Sequence, residues 1–262
     1  MNSVNKTLYI PLFGKAYVSR KGLFFSDPKA EEIWDANGFP LKGKSRSKWL
    51  AYYLGIRAAV YDEWVRQLLA DMPDAVVLHI GCGLDSRVLR VNAGACKWYD
   101  VDFPEVIAER VRYYSENGRY HMLAGDVRDC RWLEAIPETG SAIVVMEGVS
   151  MYLTSDELRS FAENLSSRFT RIAWLADCYT VKAAKLSKIK NPVNDVGVTE
   201  VYGIDDPTLL QTGGFTFIKE HEMTPQRYID ELHGAEKIIF QKLYAGSVAK
   251  KLYRMFEYRK QG

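Results

Sequence analysis

The sequence predicts an α/β fold built on a parallel, doubly wound sheet, and three observations carry that prediction. From residue 75 onward, apolar β-branched runs alternate with helical patterns, the rhythm of βαβ units. The first of these runs, Asp74-Ala75-Val76-Val77-Leu78, leads into His79-Ile80-Gly81-Cys82-Gly83-Leu84-Asp85-Ser86-Arg87, a strand ending in Gly-x-Gly. An acidic strand end follows in Tyr99-Asp100-Val101-Asp102-Phe103-Pro104, at the separation of about 20 residues where α/β nucleotide sites place a ribose-binding carboxylate.

The elements follow in order. Residues 1–50 show no clean alternation; Leu8 to Phe13 and Gly22 to Phe25 are apolar pieces set among glycines and basic residues. Asp27-Pro28 reads as an N-cap with proline at the first helical position, opening a helix from Lys29 to Ala36. Trp49, Tyr52, Tyr53, Ile56, Ala59, Val60 and Trp64 recur at steps of three and four and predict one apolar stripe on a helix from Lys48 to Ala70. Strands are expected at 75–80, 96–101, 119–124, 141–146 and 171–177. Helices are expected near 86–92, 104–116, 131–135, 155–168, 181–189 and 206–212. Gly213-Gly214 precedes a strand from Phe215 to Glu222. Thr224-Pro225 starts helical material running to about Leu252, and Tyr253 to Lys260 can return as the last strand.

Composition narrows the class. The 262 residues are 47% hydrophobic and 26% charged, with a net charge of +2. That suits one globular domain with a large core and argues against nucleic acid. The basic stretches Lys42 to Arg46 and Lys182 to Lys190 read as a solvated loop and a solvated helix face. Cys82, Cys96, Cys130 and Cys178 form no Cys-x-x-Cys pair and the four histidines are scattered, so no metal site is expected. Free thiols, no signal-peptide pattern in Met1 to Ile10 and no run of about 20 apolar residues lead us to expect a cytoplasmic protein without a membrane partner.

Several residues are positioned to carry chemistry. Gly81 and Gly83 let a ligand approach bare main chain, or simply supply positive φ for a tight turn. Asp102 suits a ribose diol, or caps the helix that begins at Pro104; Asp100 lies one pleat away on the same side and is the rival. Asp126 in Gly125-Asp126-Val127 can bond an adenine amino group with Val127 packed on the ring, or form an Asx turn, with Asp129 as its rival. The buried run Ser141 to Met146 ends in Glu147-Gly148 and leads to Tyr152, before a Thr154-x-x-Glu157 capping box. The third glycine of a dinucleotide fingerprint is replaced by Ser86, which argues against a nicotinamide-dependent dehydrogenase.

Gly-Cys-Gly-Leu-Asp-Ser-Arg, the Asp-Phe-Pro strand end and the strand-Glu-x-aromatic order together resemble the leucine carboxyl methyltransferase family of class I S-adenosylmethionine (SAM)-dependent methyltransferases. Within that family they are most similar to its bacterial, polyketide O-methylating branch. The resemblance implies a Rossmann-like sheet, mostly parallel with an antiparallel last strand, under an N-terminal helical cap: one domain over 1–262, with cap 1–72 and core 73–262. It implies SAM as cofactor, S-adenosylhomocysteine (SAH) as product, and cofactor contacts from Arg57, Gly81, Gly83, Asp102, Asp126, Val127 and Glu147. Tyr152 and Lys15 would then serve on the acceptor side. His79 stands where many methyltransferases carry an acidic residue.

The expected activity is O-methylation of a small, polyketide-like carboxylate. A carboxylate is already ionised at neutral pH and needs no base, whereas a phenol does. No His-Asp pair stands out near the expected site, since His121 and His221 are remote in motif terms, and Lys15 or Arg57 would hold the carboxylate. A non-catalytic SAM-binding protein, and O-methylation of a phenol or of a protein C-terminus, remain open.

Overall fold

The computed structural model describes residues 8–37, 39, 41, 43–137, 140–187 and 200–262. Ten α-helices and seven strands occur among them. They are α1 (Tyr9–Arg20), α2 (Pro28–Ala36), α3 (Lys48–Asp71), β1 (Val76–Ile80), α4 (Arg87–Val91), β2 (Trp98–Asp102), α5 (Pro104–Arg110), β3 (Tyr120–Ala124), β4 (Ser141–Met146), α6 (Ser155–Arg168), β5 (Arg171–Tyr179), α7 (Val181–Ser187), β6 (Thr216–His221), α8 (Gln226–Ile229), α9 (Gly234–Leu243), α10 (Gly246–Lys250) and β7 (Tyr253–Lys260).

The strands make one sheet in the order β3-β2-β1-β4-β5-β7-β6. β1 to β5 run parallel, and β7 lies antiparallel between β5 and β6. Strand order reverses between β1 and β4, the crevice where open α/β sheets bind ligands. Because β7 runs backwards, its first residue, Tyr253, pairs with Tyr179 at the end of β5 and so reaches the same rim.

Alternation along the strands divides the core. Val77, Val145, Ala173 and Leu175 pack in one cluster with Tyr61, Trp64 and Val65 of α3. Leu78, Val144, Met146, Trp174 and Ala176 pack in another with Phe161 and Leu165 of α6. His79 and Asp177 share the parity of the first set, and Glu147 follows it past the end of β4. These polar groups therefore meet on the α3 side of the sheet.

The local signals hold where they are chemical. Asp27 accepts the Ala30 amide at 2.9 Å with Pro28 at the first helical position. Thr154 and Glu157 complete the reciprocal capping box. Other expectations need correction. The stretch Tyr9–Arg20 is a helix, with Pro11 tolerated in its first turn, where no intrahelical donor is needed. The helix expected over 104–116 stops at Arg110, and those near 131–135 and 206–212 are 3-10 turns, Cys130–Ala135 and Pro207–Leu210. The helical stretch before Leu252 divides into α8, α9 and α10. Residues 188–190 of the basic stretch, Lys42, and the end of the helix expected to reach 189 lie outside the described residues. α3 carries more than one apolar stripe: Tyr52 and Ile56 pack with Val18 and Phe240, whereas Val60 and Trp64 pack on the sheet.

Candidate active site

A cavity of about 570 Å³ opens at the C-terminal rim of the parallel strands, within the range of about 300–1,000 Å³ usual for small-ligand sites. Every site residue read from the sequence lines it: Lys15, Arg57, Gly81, Gly83, Asp102, Asp126, Val127, Glu147 and Tyr152. Asp100 and Asp129 do not.

The glycine bend is shaped by backbone need. Gly81 and Gly83 have φ of +64° and +53°, and a Cβ on Gly81 would sit 2.2 Å from Cγ2 of Val149. The amides of Gly81 and Gly83 are held from β2, by the Val101 carbonyl at 2.8 Å and by Oδ2 of Asp102 at 2.8 Å. Asp102 Oδ1 accepts the Phe103 amide, also at 2.8 Å. Burial pushes the Asp102 carboxyl up to about 6, only partly offset by those two amides.

The rival Asp100 is fully buried and committed elsewhere. It accepts from Trp98 Nε1 at 2.8 Å and Tyr120 Oη at 2.7 Å, and it pairs with Arg110 and His79. Arg110 in turn donates to the carbonyls of Gly83 and Asp85, bracing the loop from below. The Asx turn at Asp126 also forms, since its carboxylate accepts the Arg128 amide at 2.9 Å while Val127 faces the cavity. Asp129 caps the following 3-10 turn and pairs with Arg131 in solvent.

The absence of a His-Asp pair is overturned. His79 Nδ1 lies 3.0 Å from Asp100 Oδ1, and its Nε2 lies 3.2 Å from Arg87 Nη1. Burial, aided by Arg87, lowers the imidazole pKa, so His79 is neutral. With Nε2 accepting from Arg87, Nδ1 carries the proton toward Asp100, and neither nitrogen is left to take a proton from an acceptor.

The floor of the cavity is a buried ion network. Arg57 Nε donates to Glu147 at 3.0 Å, and its Nη1 donates to Asp177 at 3.0 Å and to Tyr253 Oη at 3.1 Å. Arg87 joins Glu147 to Asp62, and Arg90 joins Asp62, Asp27 and Asp85. Lys15 Nζ sits 2.7 Å from Asp85 and 4.0 Å from Glu147. Burial acts to raise the Glu147 pKa, but the combined pull of Lys15, Arg87 and Arg57 holds it well below the usual carboxylate range. Burial raises that of Asp177.

Sequence reasoning missed Asp177, Asp62, Arg90 and Tyr53. The signals available were a lone acid inside the apolar run Ile172 to Tyr179 for Asp177, and the acidic pair Asp62-Glu63 between Tyr61 and Trp64 for Asp62.

The sheet order and the rim site define the class I methyltransferase fold. A magnesium protoporphyrin IX methyltransferase from Synechocystis, solved with bound SAH, shares that fold: TM-score 0.52 at 13% identity, covering 98% of this chain and 100% of that one. The chain belongs to the leucine carboxyl methyltransferase family, whose model matches residues 10–166. It is a SAM-dependent methyltransferase of that family. Among curated relatives it is 29% identical, over 90% of this chain and 89% of the other, to the tetracenomycin polyketide synthesis O-methyltransferase TcmP of Streptomyces glaucescens. It is 27% identical to the SAM-dependent methyltransferase dpfgK of Gibberella zeae, spanning 64% of this chain and 62% of that protein.

Proposed function

We propose that this protein methylates an oxygen of a small, polyketide-like acceptor, and that the oxygen belongs to a carboxylate. The observation that carries the proposal is the commitment of the cavity's titratable groups. His79 has both nitrogens engaged, Glu147 and Asp85 are held by cations, and Asp126 is held by Arg128. Asp102, whose carboxyl burial raises to about 6, is given to the donor's ribose. An acceptor that arrives ionised needs no proton removed. The relation to TcmP supports a polyketide-like compound.

When bound, the donor supplies an electrophilic methyl group on sulfonium. The residues suit it. Asp102, with two backbone amides fixing its rotamer, presents a carboxylate to the ribose diol. Asp126 and Val127 border the adenine, and Gly81 and Gly83 leave main chain bare beside the methionyl tail. Arg57 and Glu147 face its carboxylate and ammonium. In the floor, the cations Lys15, Arg57, Arg87 and Arg90 meet the carboxylates Asp27, Asp62, Asp85, Glu147 and Asp177. With every carboxylate ionised this leaves one negative charge in excess, which complements a ligand of net positive charge.

Both cations expected to grip the acceptor already have carboxylate partners, so we reassign Lys15 to bracing α1 against Asp85. Tyr152, from the 3-10 turn Ser150–Tyr152, lines the acceptor side. The chain's part in the chemistry is to align the partners, exclude water and leave the nucleophile's charge uncovered. Four free cysteines, three of them buried, suit a reducing, cytoplasmic setting.

The test is methyl-labelled SAM with a panel of aryl carboxylates and the matching phenols. Product that releases labelled methanol in mild alkali is the expected ester. Label retained only in alkali-stable ethers would refute the carboxylate reading.

A further inference from the structure

Leu50, Tyr53, Leu54 and Arg57 of α3 lie at i, i+3, i+4 and i+7, and all four face the cavity. Three of them need no partner there or already have one. Tyr53 differs: its hydroxyl oxygen is buried with no hydrogen-bond partner, and no other described cavity-lining side chain has a buried polar atom in that state. A buried hydroxyl left unpaired costs stability, and native proteins rarely keep one without a use. Burial also raises the Tyr53 pKa, so the group is a neutral donor.

Tyr53 lies one turn before Arg57 on α3, beside the part of the cavity that runs past the donor contacts at the strand ends. Along the rim, Asp102 ends β2, Gly81 follows β1 and Glu147 follows β4. Beyond β4 the cavity continues to Tyr179 at the end of β5 and Tyr253 at the start of β7. The Tyr53 ring meets that of Tyr253 edge-on at 6.4 Å, and Tyr253 meets Tyr179 at 4.9 Å. Leu50 and Leu54 of α3 and Ile10 of α1 supply apolar surface to the same cavity.

We propose that Tyr53 is an acceptor-positioning residue, whose hydroxyl donates a hydrogen bond to the oxygen of the acceptor carboxylate that is not methylated. This deepens the carboxylate reading above and rests on it. A neutral phenol orients a carboxylate without neutralising it. A lysine or arginine clamp would draw charge away from the attacking oxygen, and here those cations are already occupied by Asp85, Glu147 and Asp177. The three-tyrosine wall suits a flat aromatic acid.

The experiment titrates the full chain, saturated with SAH, with 2-naphthoate and with 2-naphthol, comparing parent and Tyr53→Phe by calorimetry. Tyr53→Phe should bind SAH as the parent does, bind 2-naphthoate about tenfold more weakly (the loss of about one hydrogen bond), and melt at the same temperature or higher because an unpaired buried hydroxyl is gone. A purely structural tyrosine would leave naphthoate affinity alone. Equal naphthoate affinity in the two proteins, weaker SAH binding in the variant, or no saturable naphthoate binding by the parent would each overturn the assignment as stated. If the parent binds 2-naphthol instead, methylates it once SAM replaces SAH, and Tyr53→Phe weakens that binding, the carboxylate reading fails while the positioning role of Tyr53 stands.

Discussion

Asp102 Oδ2 accepts the amide of Gly83 at 2.8 Å, so the acid that ends β2 also fixes the bend that ends β1. One hydrogen bond thus ties together two landmarks 19 residues apart, and the carboxylate that would hold the ribose diol is oriented before any ligand arrives. Its neighbour Asp100, two residues earlier on the same face, is spent on Arg110, His79, Trp98 and Tyr120. Asp102 lines the cavity and Asp100 serves the framework, so on the proposed reading the two acids divide the labour.

That division predicts opposite phenotypes. Asp102→Asn keeps an oxygen for the Gly83 amide but loses the charge and turns its amino group toward the Phe103 amide, so donor affinity should fall about 10- to 100-fold with a stability loss of about 1 kcal/mol, smaller than that at Asp100. Asp100→Asn leaves Arg110 buried without its anion and should cost about 3–5 kcal/mol of stability. Calorimetric titration with SAH and denaturant unfolding of both variants separate the two effects.

The pH dependence of donor binding should report Asp102. Its carboxyl is raised to about 6, and on the proposed reading the ribose hydroxyls would donate to the ionised form. Affinity should therefore hold above about pH 6.5 and decline as pH falls through 6, and the decline should vanish in Asp102→Asn. Because burial keeps His79 neutral, no second inflection is expected between pH 6.5 and 8.5 in the rate profile.

Glu147→Gln removes the anion shared by Arg57 and Arg87. We expect about 3 kcal/mol lost at neutral pH, read by urea unfolding, together with weakened donor binding. The Glu147 pKa is depressed in the fold, so the stability this carboxylate contributes is complete above the ordinary carboxylate pKa and fades as pH falls toward the depressed value. The gap between parent and variant should accordingly narrow in acid.

Gly81→Ala combines a left-handed backbone with a Cβ set 2.2 Å from Val149 Cγ2. Donor binding should be lost and stability reduced by more than the roughly 1–2 kcal/mol that positive φ costs a non-glycine residue. Adding Val149→Ala leaves the nearest Val149 atom at 3.5 Å and should recover only the part due to the clash. A double variant no more stable than Gly81→Ala would show that the clash contributes nothing.

What the sequence determined by itself is the set of features whose cause is local. Alternation placed the strands, Asp27-Pro28 and Thr154-x-x-Glu157 placed two helix starts, and Gly81, Gly83, Asp102 and Glu147 announced themselves because each follows an apolar strand. The family resemblance extended that to Lys15, Arg57 and Tyr152. Tertiary structure alone decided who partners whom. It turned His79 and Asp100 into a pair, spent Lys15 and Arg57 on carboxylates from elements 70 to 120 residues away, and left the Tyr53 hydroxyl without a partner. The physical reason is that a buried charge or hydroxyl is defined by what surrounds it in a low-dielectric interior, and neighbours brought together by sheet order leave no trace in the spacing of either residue along the chain.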